Sequence, residues 1–69
     1  MVRIRLADRR ELHRLLTELS LQPDLIVSQV DDGDLEIDLL GSYAIDEMRN
    51  EVRRRLELAL PHGGFTIDA

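Results

Sequence analysis

Carboxylates are the most concentrated chemistry-bearing residues of this chain: Asp31, Asp32, Asp34, Glu36 and Asp38 fall within one short stretch. Ca²⁺ and Mg²⁺ require convergent oxygen ligands of this kind, but the spacing is not that of an EF-hand loop. Aspartates around Gly33 are ordinary turn composition. No metal ligand is therefore assigned. His13 and His62 stand in no spacing that pairs them as ligands, or as a base with a nucleophile. His62 is the better placed, in Pro61-His62-Gly63-Gly64, where glycines let a ligand approach the backbone; the plain role of that loop is to stop a helix. The hydroxyls of Thr17, Ser20, Ser28, Ser42, Tyr43 and Thr66 occur in no nucleophile-elbow or P-loop pattern. No catalytic residue and no cofactor-binding residue is assigned, and the expectation is a protein that is not an enzyme and carries no cofactor.

Arg53-Arg54-Arg55 is the one basic run. It raises nucleic-acid binding as an alternative, but the net charge of −5 and the sequence pI near 4.8 oppose attraction to phosphate backbones. On a helix such a run is ordinarily a solvated face, here with Glu51 and Glu57 as partners. All nine basic residues are arginine, the bias expected of a GC-rich coding genome, and a bacterial source is the expectation that goes with it.

At 69 residues the chain reads as a single domain, 1–69. Domains of this size bury only about 60% of their unfolded surface, so stability is expected to be marginal and an oligomer interface would add to it. The absence of cysteine removes disulfides and thiolate metal sites as staples. A hydrophobic share of 43% with 33% charged residues is a globular composition. No apolar run approaches membrane-spanning length, and the arginine-interrupted start is not a signal peptide, so a cytoplasmic location is expected.

The elements that must position any site follow from periodicity. Leu35-Glu36-Ile37-Asp38-Leu39 alternates apolar and acidic residues, the signature of a half-buried strand. Val2, Ile4 and Leu6 alternate with Arg3 and Arg5 in a first strand. Asp8 and Glu11 have capping-box spacing ahead of an amphipathic helix from about Arg9 to Ser20, with Leu12, Leu15, Leu16 and Leu19 on one stripe. A second strand, Leu25 to Val30, follows Pro23, and Asp32-Gly33 marks a hairpin into the next strand. Two registers remain open. A two-residue turn puts Ile26, Ser28 and Val30 on the core face, whereas a three-residue loop puts Leu25, Val27 and Gln29 there. A second helix is expected with Ser42 as N-cap, Asp46 and Glu47 early, and Ile45, Met48, Val52, Leu56 and Ala59 as its apolar stripe. Phe65 and Ile67 alternate with Thr66 and Asp68 in a last strand.

The order β-α-β-β-α-β predicts an α+β fold of the ferredoxin-like split type. Right-handed crossovers give a four-stranded antiparallel sheet of order 4-1-3-2 with two helices on one face. Strands one and three then become neighbours, with Arg3 and Arg5 expected beside Glu36 and Asp38 on the open face. RNA-recognition motif domains share this fold and stack bases on aromatics of the central strands, where this chain has those charged residues instead.

The segment Leu6-Ala-Asp-Arg-Arg-Glu-Leu-His-Arg-Leu-Leu, following a first strand, resembles the start of an ACT regulatory domain, with Arg9-Arg10 where the family usually has Pro-Gly. The resemblance implies a small-ligand-sensing domain that binds its ligand at a dimer interface near the first strand-helix turn.

The leading expectation is a non-catalytic protein-interaction or adaptor module, self-associating as a homo-oligomer or pairing with a protein partner. Its interaction residues are Leu25, Ile26, Val27, Ser28 and Val30, a sheet edge with no charge inside it.

Overall fold

The computed structural model describes residues 1–68; Ala69 lies outside the described residues. The elements are β1 (Val2–Leu6), a 3-10 turn (Arg9–Glu11), α1 (Leu12–Ser20), β2 (Leu25–Asp31), β3 (Asp34–Leu39), α2 (Ile45–Ala59) and β4 (Phe65–Asp68). The strands form one sheet of order β2-β3-β1-β4, every neighbouring pair antiparallel. Read from the β4 edge, the same order is 4-1-3-2.

Alternation decides which face is covered. Val2, Ile4 and Leu6 of β1, Leu35, Ile37 and Leu39 of β3 and Leu25 of β2 all point into one core with Leu15 and Leu19 of α1 and Met48, Val52 and Leu56 of α2. Both helices therefore cover the same sheet face. Each such side chain contributes about 1.5–3 kcal/mol on burial, and with no cysteine this packing carries the fold.

The helix starts differ from the sequence expectation. Asp8 does cap, accepting from the Arg10 backbone N–H at 3.0 Å, but Glu11 does not reach back and instead accepts from Arg14 Nε at 2.8 Å. A tight 3-10 turn at the entry places the Arg10 N–H under the Asp8 carboxylate, so the box is half formed. Ser42 is not the cap of α2: Ala44 occupies that position in extended conformation and has no side-chain hydrogen bond. Asp46 and Glu47 supply the negative charge that suits the helix start. Ile45 is 58% exposed, and the packed stripe begins a turn later at Met48.

The hairpin register is resolved by the ladder. Gln29 lies opposite Leu35, so Leu25 and Val27 point toward the helices while Ile26 and Ser28 point to the open face. Asp31 lies opposite Asp34 across the Asp32-Gly33 turn, and the extra residue, Val30, is taken up by a bulge between Gln29 and Asp31. Gly33 has φ +87° and its carbonyl accepts from the Leu6 N–H at 2.8 Å. A Cβ there would lie 3.2 Å from Arg9 Cγ, so the hairpin tip docks where only glycine fits without strain.

Leu56 is fully buried and Arg54 is on the outer surface. Leu56→Ala should lower stability by about 2–5 kcal/mol, while Arg54→Ala should barely move the urea midpoint. Equal shifts in the two denaturation curves would mean that the packed face of α2 is misassigned.

Candidate interaction edge and the charged sheet face

The uncovered sheet face is organised by Asp34. Arg3 Nε and Nη2 donate to its Oδ2 at 3.2 and 2.9 Å, and Arg5 Nε donates to Oδ1 at 3.1 Å and Nη2 to Oδ2 at 3.4 Å. Asp34 is 3% exposed, and these two guanidinium groups hold its carboxyl below the ordinary aspartate range. The expected partners were Glu36 and Asp38. Strand adjacency is as expected, with Arg3 opposite Glu36, but Arg3 reaches diagonally to Asp34, which lies opposite Arg5 and is shared by both. Asp38 is 3.8 Å from the N-terminal ammonium. The bulge turns Asp31 toward the same cluster, 4.0 Å from Arg3 Nη2. Apart from Arg3 and Arg5, the charges contributed by the strands to this face are carboxylates: Asp31, Asp34, Glu36, Asp38 and Asp68.

β2 forms one edge of the sheet. The Leu40 N–H donates to the Asp24 carbonyl at 2.9 Å, which fixes the phase of the ladder. Antiparallel pairs alternate between hydrogen-bonded and non-hydrogen-bonded. Ile26 and Ser28 therefore direct their backbone groups toward β3, and Leu25, Val27 and Gln29 direct theirs away from the sheet. The Leu25 N–H is already taken by the Gln22 carbonyl at 3.2 Å. What remains is the Leu25 carbonyl and both groups of Val27 and Gln29. Of the sequence-predicted interaction residues, the structure puts Leu25 in the core and Val27 half-buried, with Ser28, Ile26 (50%) and Val30 (41%) exposed. The other edge strand, β4, has four residues among those described.

Part of the basic run is engaged internally. Arg55 is a hub: it donates to Asp24 at 2.7 and 2.8 Å, to Glu51 at 2.8 Å and to Gln22 at 2.9 Å. Arg54 bonds Glu51 at 2.6 and 3.0 Å, and the two arginines lower the Glu51 pKa to about 2. Gln22, Asp24, Arg54 and Arg55 line an open groove of about 520 Å³. Two of the three consecutive arginines are thus committed to carboxylates, and Arg53 is exposed on the outer face of α2 beside Arg49, Asp46 and Asn50. A smaller cavity of about 180 Å³ lies between Asp8, Glu11 and Arg14 on one side and His62, Gly63 and Gly64 on the other. Among the described residues no group of three or more histidines or carboxylates is placed to hold a metal ion.

Sequence reasoning missed Asp34 and the Asp24–Arg55 pair. In the sequence Asp34 groups with the turn aspartates around Gly33, although its parity with Glu36 and Asp38 puts it on the open face of β3; Asp24 and Arg55 are distant in sequence and leave no local signal. No protein-family model matches the chain, and neither does any curated protein or solved structure.

Asp34 and Glu51 have depressed folded-state pKa values, so their contribution is complete above the unfolded carboxylate range and is lost as pH falls through the folded value. Thermal melts should show Tm falling below about pH 4. Asp34→Asn should lower Tm at pH 7 and flatten that decline. Carboxyl-carbon NMR should find Glu51 titrating near 2; an ordinary value would remove the Arg54–Glu51–Arg55 network.

Proposed function

We propose that this chain is a small non-catalytic association module of the ferredoxin-like split type, working in the cytoplasm by adding another strand to its β2 edge. The added strand comes from a second copy or from a protein partner, as in an adaptor. One observation carries the reading: an edge strand of seven residues presents outward backbone groups at Leu25, Val27 and Gln29, with Ile26 and Val30 exposed beside them and no charge from Leu25 to Val30. Edges are ordinarily blunted by charge, proline or extreme shortness. Here the guards lie at the ends, Asp24 before the strand and the bulge at Val30 after it. Strand addition supplies main-chain hydrogen bonds and covers apolar side chains in one step, and it adds stability to a core of limited size.

A second reading, ligand sensing of the ACT type, is supported by the 180 Å³ cavity, which adjoins the first strand-helix turn where the resemblance would place a small molecule. Nucleic-acid binding has less support, because the open face carries acidic groups in place of stacking aromatics and Arg54 and Arg55 are paired.

Sedimentation over a concentration series, with and without a candidate partner, tests the association. Ile26→Lys should abolish it while leaving a folded monomer, since Ile26 is on the exposed face. Val27→Lys should instead lower stability, because Val27 packs against the core. A wild-type protein that stays monomeric up to high micromolar concentration and ignores added partner would defeat the proposal. A saturable thermal shift with a single amino acid or nucleotide would favour ligand sensing.

A further inference from the structure

We infer that the strand added to β2 is β2 of a second copy, antiparallel, with the two-fold axis passing through Ser28. The inference rests on the reading that this edge associates, and it goes beyond that reading in naming the occupant and the register.

The backbone narrows the choice. Val27 and Gln29 each present an outward N–H and an outward carbonyl, while Val30 and Asp31 face β3 at the bulge. In an antiparallel self-pair, Val27 of each copy can face Gln29 of the other, and all four groups of this pair of residues then find partners in the other copy. The bulge prevents a longer ladder, so the contact is short and reversible.

The open-face side chains select this register. With the axis at Ser28, the two serines face each other, and exposed Ile26 of each copy lies directly opposite exposed Val30 of the other. These are non-hydrogen-bonded positions of the new ladder, where side chains approach most closely. An axis one residue away, at Val27, makes as many backbone bonds but sets Val30 against Asp24, a carboxylate engaged by Arg55 at 2.7 Å. Charge does not oppose self-pairing despite the net −5. No charged residue lies between Leu25 and Val30, and the carboxylates brought together at the ends, Asp24 and Asp32, each already face an arginine of their own chain, Arg55 and Arg9. A closed two-fold contact follows, joining two four-stranded sheets into one.

The chain has no cysteine, so single thiols report register without interference. Residues facing each other in a non-hydrogen-bonded pair have Cα atoms about 4.5 Å apart, within disulfide range. Ser28→Cys, an exposed and nearly isosteric change, should form a covalent dimer in a glutathione redox buffer, far faster than Ser42→Cys, an exposed loop thiol that reports random collision. Ile26→Cys alone should stay uncrosslinked, and mixing it with Val30→Cys should give the mixed dimer. Circular dichroism verifies that each variant is folded. A sedimenting wild-type dimer in which Ser28→Cys does not exceed the collision control would overturn this register and leave the edge reading standing. A wild type that is monomeric alone and binds only a foreign partner overturns the second-copy assignment, and one that is monomeric under all conditions overturns both.

Discussion

The antiparallel pairing of β1 with β3 is the constraint on which the rest of the structure depends. Val2, Ile4 and Leu6 on one strand and Leu35 and Ile37 on the other put their side chains on a single buried face. Both helices exist as ordered elements because they have this surface to cover; neither has the length to be stable alone in water. The edge strands are then fixed by what remains, β2 beside β3 through a tight hairpin and β4 beside β1.

Alternation has an equal consequence on the other side. Every apolar residue sent to the core sends a polar neighbour outward, and these neighbours settle into local charge clusters. Arg3 and Arg5 close on Asp34, so a carboxylate at the sheet rim becomes nearly inaccessible without leaving a polar atom unsatisfied; among the described residues no buried side-chain polar atom lacks a partner. On the helical side, Arg55 ties α2 to the segment between α1 and β2 through Asp24 and Gln22. Its side chain is largely covered, and the pairing joins residues 31 and 33 positions apart in the chain. Most of the charged groups in these clusters are thus occupied with one another, which leaves the uncharged β2 edge as the distinctive unpaired feature.

Element order and sheet neighbours were legible in the sequence because they depend on periodicity, which survives without tertiary knowledge. Leu35, Ile37 and Leu39 could be assigned inward from alternation alone. What could not be read was the register of β2, because one residue of slip reverses every side chain and the bulge at Val30 breaks the parity that would decide it. The cap of α2 is not legible either: Ser42 has the right chemistry, but the chain is still extended at Ala44, where α2 begins. The interaction stretch is legible as a segment, and only the ladder divides it into helix-facing residues, Leu25 and Val27, and surface residues, Ile26, Ser28 and Val30.

The sheet is assembled from pairings of very different reach. β2 and β3 are joined by a two-residue turn, whereas β4 must cross most of the chain to lie against β1, with Arg3 opposite Asp68. Loop closure costs less for the hairpin than for the β1–β4 pairing, so chain entropy favours the local pair. β1 alternates its core residues with Arg3 and Arg5. In the native state these arginines clasp Asp34, and charges set inside an apolar strand are the kind of residue that discourages strand pairing between molecules.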